Sequence, residues 1–197
     1  MARFIVVEGI DGCGKSSVAA SIAESMGDDA VLTREPTDSW IGKAVRKGEK
    51  GDVSPYLDAL LFMADRAQHT LEINGLLEQG KTVVCDRYYH STVAYQTAHL
   101  RLWSLGDNFN WLLDANLRIS ARPDVTLLLL VSPETAFRRI GGRGWTSRFE
   151  QLDFLKDVQD NYRRLARSDD TIVQIDAERP LAEVVEDALA AVERSNV

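Results

Sequence analysis

Glu8-Gly9-Ile10-Asp11-Gly12-Cys13-Gly14-Lys15-Ser16 fits the pattern G-x-x-x-x-G-K-[ST] at every fixed position. Glycines let a backbone bend until successive N–H groups point at one anion. A helix that begins at the end of such a loop aims the positive end of its dipole at the same place. In this pattern the lysine reaches the outer phosphates of a nucleotide and the hydroxyl faces Mg2+. The expected cradle is therefore Gly9, Ile10, Asp11, Gly12, Cys13, Gly14, Lys15, Ser16 and Ser17. Lys15 would meet the phosphates and Ser16 the metal. The plainer alternative is a glycine turn between a strand and a helix.

Three further groupings can carry chemistry. Phe62 and Arg66 are four residues apart and share a helix face, so a ring and a guanidinium can stack and bond one planar base. A core phenylalanine beside a surface arginine fits the same spacing. Asp86-Arg87-Tyr88 follows an apolar run; Arg87 suits a phosphate, and Asp86 suits water on Mg2+. A capping aspartate and an exposed arginine are the alternative. Thr92, Tyr95 and Gln96 come next on one helical face. Arg138-Arg139-Ile140-Gly141-Gly142-Arg143-Gly144-Trp145-Thr146-Ser147-Arg148 holds four arginines and no acid. It reads as an arginine-rich mobile lid over about 138–149, or as a solvated basic loop. His69, His90 and His99 have no convincing ligand spacing and read as structural or surface residues.

The elements that must position these groups follow from pattern. Phe4–Val7 does not alternate and reads as a strand buried on both faces. Ser16–Met26 is a helix that stops at Gly27, and Ala30–Thr33 a second strand leading to Arg34-Glu35-Pro36. A short helix spans about 41–46, and 47–52 reads as an exposed polar loop. Ser54-Pro55 opens a helix that runs to about Gln79. Strands at 81–86, 124–131 and 171–175 alternate with helices at about 91–100, 111–118, 133–140, 148–167 and 181–192. The expectation is one domain over 1–197, with five parallel strands flanked by helices in a three-layer α/β P-loop NTPase fold. Carboxyl strand ends line the ligand crevice of such sheets, which puts Asp86 and Arg87 near the glycine loop.

Composition excludes other classes. The chain has 197 residues, 45% of them hydrophobic, and a formal net charge of −7. That charge disfavours nonspecific nucleic-acid binding. No apolar run is long enough to span a bilayer, and Met1–Phe4 leads straight into a strand, leaving no room for a signal peptide. Cys13 and Cys85 suit reduced thiols in a cytoplasm.

The ordered set of motifs resembles the thymidylate kinases, P-loop enzymes that phosphorylate dTMP to dTDP with ATP. Its carriers are the glycine loop, Thr33-Arg34-Glu35-Pro36, Phe62-Met63-Ala64-Asp65-Arg66, Asp86-Arg87-Tyr88, Ser91–Gln96 and the arginine stretch ending Ser147-Arg148-Phe149-Glu150. The resemblance implies that ATP is the donor, Mg2+ the metal and a homodimer the assembly, without nucleic-acid or membrane partners. It implies that Asp11 lies near the deoxyribose 3′-hydroxyl, Phe62 stacks on thymine and Arg66 bonds its O4 edge. Arg34 and Arg87 would hold the acceptor phosphate, and Glu35 would be a further substrate-binding residue. Thr92, Tyr95 and Gln96 would complete the nucleoside pocket. Gly12 and Cys13 carry no charge, so the extra catalytic cation would come from the lid, at Arg143 and Arg148. Ser147 stands where many relatives carry Asp, and 99–116 has no motif to align. A kinase for dUMP, UMP, CMP or AMP is the near alternative. A noncatalytic P-loop switch is the distant one, and the Asn-Lys-x-Asp base reader of that class is absent.

Overall fold

A computed structural model describes residues 2–51, 53–141 and 148–195. In chain order the elements are β1 (Phe4–Gly9), α1 (Lys15–Met26), β2 (Ala30–Arg34), α2 (Trp40–Gly48), α3 (Pro55–Glu78), β3 (Thr82–Asp86), α4 (Tyr89–Leu102), α5 (Phe109–Leu117), β4 (Val125–Leu130), α6 (Pro133–Ile140), α7 (Arg148–Ala166), β5 (Ile172–Asp176) and α8 (Leu181–Arg194). The five strands form one parallel sheet ordered β2-β3-β1-β4-β5. Helices α1 and α8 cover one face, and α3, α4 and α7 the other.

Every residue of β1 is buried, as its unbroken apolar run requires of a central parallel strand. Phe4, Ile5, Val6 and Val7 join Val83, Val84, Leu127, Leu128 and Leu129 in the core. Neighbouring strands β1 and β3 send their crossovers in opposite directions, to β2 and to β4. Their carboxyl ends therefore flank the crevice where a ligand can enter the sheet. Register sets Val7 opposite Asp86, and Arg34 opposite Asp86 on the other side. Asp86 is thus placed by backbone pairing on both sides.

Local chemistry fixes most boundaries. The Ser39 hydroxyl accepts the N–H groups of Ile41 and Gly42, so α2 begins at Trp40. Ser132 accepts from Thr135 N and starts α6, with Pro133 in the first turn. Ser54 caps α3 by position only, because its side chain makes no cap bond. Two expectations need correction. Helix α2 runs on to Gly48, and Glu49 continues its hydrogen bonding by donating N–H to the Val45 carbonyl, so 47–52 is not all exposed loop. Helix α4 opens at Tyr89 and continues to Leu102, because Tyr89, His90 and Leu100 are buried and extend its packing at both ends.

Candidate active site

The glycine loop leaves β1 and turns into α1. Gly12 has φ +85° and Gly14 φ +99°, a region that side chains avoid. At Gly12 space is also closed: a Cβ would stand 2.5 Å from the Ala136 carbonyl oxygen of α6. Lys15 is buried, and its ammonium donates to the Ile10 carbonyl at 3.0 Å, with Asp11 Oδ1 at 4.0 Å. Ser16 Oγ donates to Asp86 Oδ2 at 2.5 Å, while Asp86 Oδ1 is buried without a partner among the described residues. A hydroxyl and a carboxylate with an unpartnered oxygen fit a hard, oxygen-seeking cation such as Mg2+. Ser17 lies exposed in the first turn of α1.

Arg139 lies in α6 and reaches the glycine loop. Its Nη1 lies 3.5 Å from the Gly12 carbonyl and 3.2 Å from that of Ala177. It ties the glycine loop to the turn after β5. Arg138 bonds the Thr135 hydroxyl within its own helix.

The turn after β3 carries the second arginine. Arg87 holds φ 72°, a strained conformation for a side-chain residue, at the crevice itself. Its guanidinium pairs with the Asp11 carboxylate and lies over the Tyr95 ring at 5.3 Å. The Tyr95 hydroxyl accepts the Asp11 N–H at 2.8 Å. Burial works to raise the Asp11 carboxyl, but the Arg87 and Lys15 charges hold it below the usual range. Glu8, fully buried at the end of β1, fixes the turn from beneath. It accepts the N–H of Tyr88 at 2.7 Å, the hydroxyl of Ser91 at 2.6 Å and that of Tyr162 in α7 at 2.8 Å. Burial alone would raise its pKa. The His90 ring, the Ser91 hydroxyl and the Arg87 charge outweigh it and bring the group from 4.5 to about 2.

A cavity of about 650 Å³ opens beside this turn, lined by Asp11, Pro36, Glu49, Asp58, Phe62, Arg87, Ser91, Thr92, Tyr95, Gln96, His99, Leu102 and Phe154. A second, of about 620 Å³, is lined by Ser16, Arg34, His69 and Asp86 among others. The structure thus gathers Asp11, Phe62, Arg87, Thr92, Tyr95 and Gln96 around one space. Arg34 faces the other, paired with Asp38 at 3.2 Å. Glu35 and Arg66 line neither cavity. Arg66, 1% exposed, is ion-paired with Glu35 and donates to Asn116 Oδ1 at 2.6 Å. His69 closes the chain, with Nδ1 3.0 Å from Glu35 and Nε2 2.8 Å from Thr33. Arg66 Nε has no partner among the described residues.

Several working residues escaped the sequence reading. Asn116 sits in the unaligned stretch, with no spacing to betray it. Glu49, which the polar composition of 47–52 places in an exposed loop, lines the cavity, where burial and the Asp58 charge raise its carboxyl. Asp65 accepts from Thr37 N, Thr37 Oγ1 and Ser39 Oγ, holding the start of α2; its place beside Arg66 in the quoted motif was the available signal. Arg143 lies outside the described residues, and Arg148 is described only as the first residue of α7.

A parallel sheet ordered 2-3-1-4-5, with a glycine loop on its central strand and an acid closing the neighbouring strand, defines a P-loop nucleotide-binding protein. The thymidylate kinase family model matches residues 7–188. A probable thymidylate kinase of Thermococcus gammatolerans is 38% identical over 98% of this chain and 97% of its own length. Probable thymidylate kinases of Archaeoglobus fulgidus, 40% identical over 96% of this chain and 94% of theirs, and of Methanococcoides burtonii, 38% identical over 96% of each, agree. The chain belongs to the thymidylate kinase family, and with it to the ATP-dependent nucleoside monophosphate kinases.

Proposed function

We propose that the chain transfers the γ-phosphoryl group of ATP to dTMP, forming dTDP. The observation that carries this reading is the 650 Å³ cavity, which meets the glycine loop at Asp11 and the β3 turn at Arg87 and is lined further by Phe62, Thr92 and Gln96. Phosphate at the arginine end and a flat base against Phe62 match a nucleoside monophosphate in size and polarity. Asp11 orients the Arg87 guanidinium and stands near the sugar. Arg34 supports the acceptor phosphate from the Asp86 side, and Arg66 would reach a base edge only by turning out of its buried contacts with Glu35 and Asn116.

The transferring group spreads negative charge over its oxygens, so positioned cations do most of the catalysis. Lys15 exchanges the Ile10 carbonyl for a phosphate oxygen. Arg143 and Arg148 add charge from the lid. Ser16 and Asp86 would hold Mg2+, which would supply further charge neutralisation. The acceptor phosphate is largely ionised at neutral pH, so no strong general base is needed.

A homodimer belongs to the same reading. Leu57, Leu60, Ala64 and Leu71 are exposed along one stripe of the 24-residue α3, the helix that also carries Phe62 and Arg66. A reducing cytoplasm suits the unpaired Cys13 and Cys85. No helix among the described residues is long and apolar enough to cross a membrane.

The test is a coupled ATP-to-ADP assay across dTMP, dUMP, UMP, CMP and AMP. The expected result is the highest kcat/KM with dTMP, and a smaller margin over dUMP, since one methyl is worth about 1–3 kcal/mol. Equal kcat/KM for CMP and dTMP would overturn the proposal.

A further inference from the structure

We infer that Asp58 is a specificity-positioning residue: it fixes the side-chain amide of Gln96 so that only a hydrogen-bond acceptor is left for the nucleobase. The inference rests on the nucleoside monophosphate reading above and goes beyond it, to how the base is chosen.

A glutamine amide has two nearly isosteric ends, one donating and one accepting. A ligand pocket with a free Gln would satisfy either a base N–H or a base lone pair by rotating the amide. Gln96 is not free. It is buried on α4, and its Nε2 donates to Asp58 Oδ2 at 3.1 Å. Asp58 is itself buried, in the first turn of α3. An ionised carboxylate only accepts, so the NH2 end must face it. The carbonyl end, Oε1, is then the end that remains. It is buried with no partner among the described residues, on a side chain that lines the cavity. Thr92, one turn earlier on α4, shows the same signature at Oγ1. A hydroxyl can donate or accept and does not choose. The fixed Oε1 does.

Buried polar atoms without partners are uncommon, and one on a side chain that lines a ligand cavity is a natural partner for a ligand N–H. An acceptor asks for an N–H. Thymine and uracil carry one at N3, whereas cytosine has a lone pair there, so two acceptors would face each other across a dry contact. Phe62 on the same wall suits a planar ring. His99 Nδ1, 3.9 Å from Asp58 Oδ2, faces the same carboxylate oxygen from α4, and Glu49 lines the cavity with it. Neither is bonded to the Gln96 amide.

The test compares dTMP and dCMP as substrates for Asp58→Asn. Asparagine offers either end to Gln96, so the amide is released to invert. The expected result is a fall in the dTMP-over-dCMP ratio of kcat/KM by about ten- to a hundredfold, with the dTMP loss in KM more than in kcat. The double variant Asp58→Asn, Gln96→Glu restores an acceptor-only group at 96 held by a donor at 58, and should recover the preference. Asp58→Ser makes the same prediction as Asp58→Asn should the latter fold poorly. A merely structural role would slow both substrates alike, and an unchanged ratio in a folded Asp58 variant would overturn the inference. A wild-type protein without dTMP activity would instead strike the proposed function.

Discussion

Lys15 and Glu8 sit seven residues apart and answer to different physics. Lys15 donates to Ile10 in a loop shaped for an anion, so it is poised to change partner. Removing one donor to a charged transition state typically costs about 3–4 kcal/mol. Lys15→Ala should therefore lower kcat by roughly a hundred- to a thousandfold at unchanged melting temperature; activity within a few-fold of wild type would remove Lys15 from its role. Glu8 is a matter of stability. Its folded pKa, about 2, lies below the ordinary 4.5. A depressed carboxylate stabilises the fold fully above 4.5, and that contribution drains away as pH falls toward 2. Glu8→Gln carries no such charge. The gap in unfolding free energy between wild type and Glu8→Gln should be wide at pH 6 and shrink between pH 4.5 and 2, followed by urea titration at each pH. A gap independent of pH would mean that folding leaves the Glu8 pKa at its ordinary value.

At the scale of elements, the two sides of the crevice are built differently. Strand β1, the glycine loop and α1 were legible in the sequence, because a buried central strand has an unmistakable apolar run and the loop has a fixed spacing. The spacing that brings Phe62, Arg87, Thr92, Tyr95 and Gln96 to one cavity was legible for a like reason: helical spacing and strand ends are local. What was not legible depends on long-range pairing. Nothing local says that Asn116 reaches Arg66, fifty residues earlier, or that the Glu35 carboxylate takes up the Arg66 guanidinium before any ligand arrives. Arg139 likewise meets Gly12 across 127 residues. Arg139 holds carbonyls of the loop and of the β5 turn, so the extra catalytic cation is proposed to come from beyond it. Arg143 and Arg148 are the proposed source. Arg143→Ala or Arg148→Ala should lower kcat more than it raises the KM for dTMP, and lysine should rescue only in part, since it lacks the planar fork. Normal kcat in both alanine variants would move the cation elsewhere, a neighbouring subunit included.

At the scale of the whole molecule, α3 has two faces with separate work. One carries Asp58, Met63, Asp65, Arg66 and His69 inward; the other shows Leu57, Leu60 and Leu71 to solvent. Burying an exposed leucine in a dimer gains about 1.5–3 kcal/mol each, so Leu60→Glu should shift the sedimenting species from dimer to monomer. A wild-type monomer at micromolar concentration would refute the assembly. The Glu8 junction has a different consequence, one of timing. Its carboxylate collects Tyr88, Ser91 and Tyr162 from 80, 83 and 154 residues downstream. Contacts between such distant segments form only after long loops have closed. Rupture of the junction should therefore register in how fast the protein opens, and hardly in how fast it closes. In a chevron experiment Tyr162→Phe, which removes only the hydroxyl bonded to Glu8 and Ser91, should steepen nothing and slow nothing on the refolding arm while raising the unfolding rate, a φ-value near zero. A φ-value near one would make this knot of polar groups part of the folding nucleus, and the catalytic crevice one of the first regions of the chain to take shape.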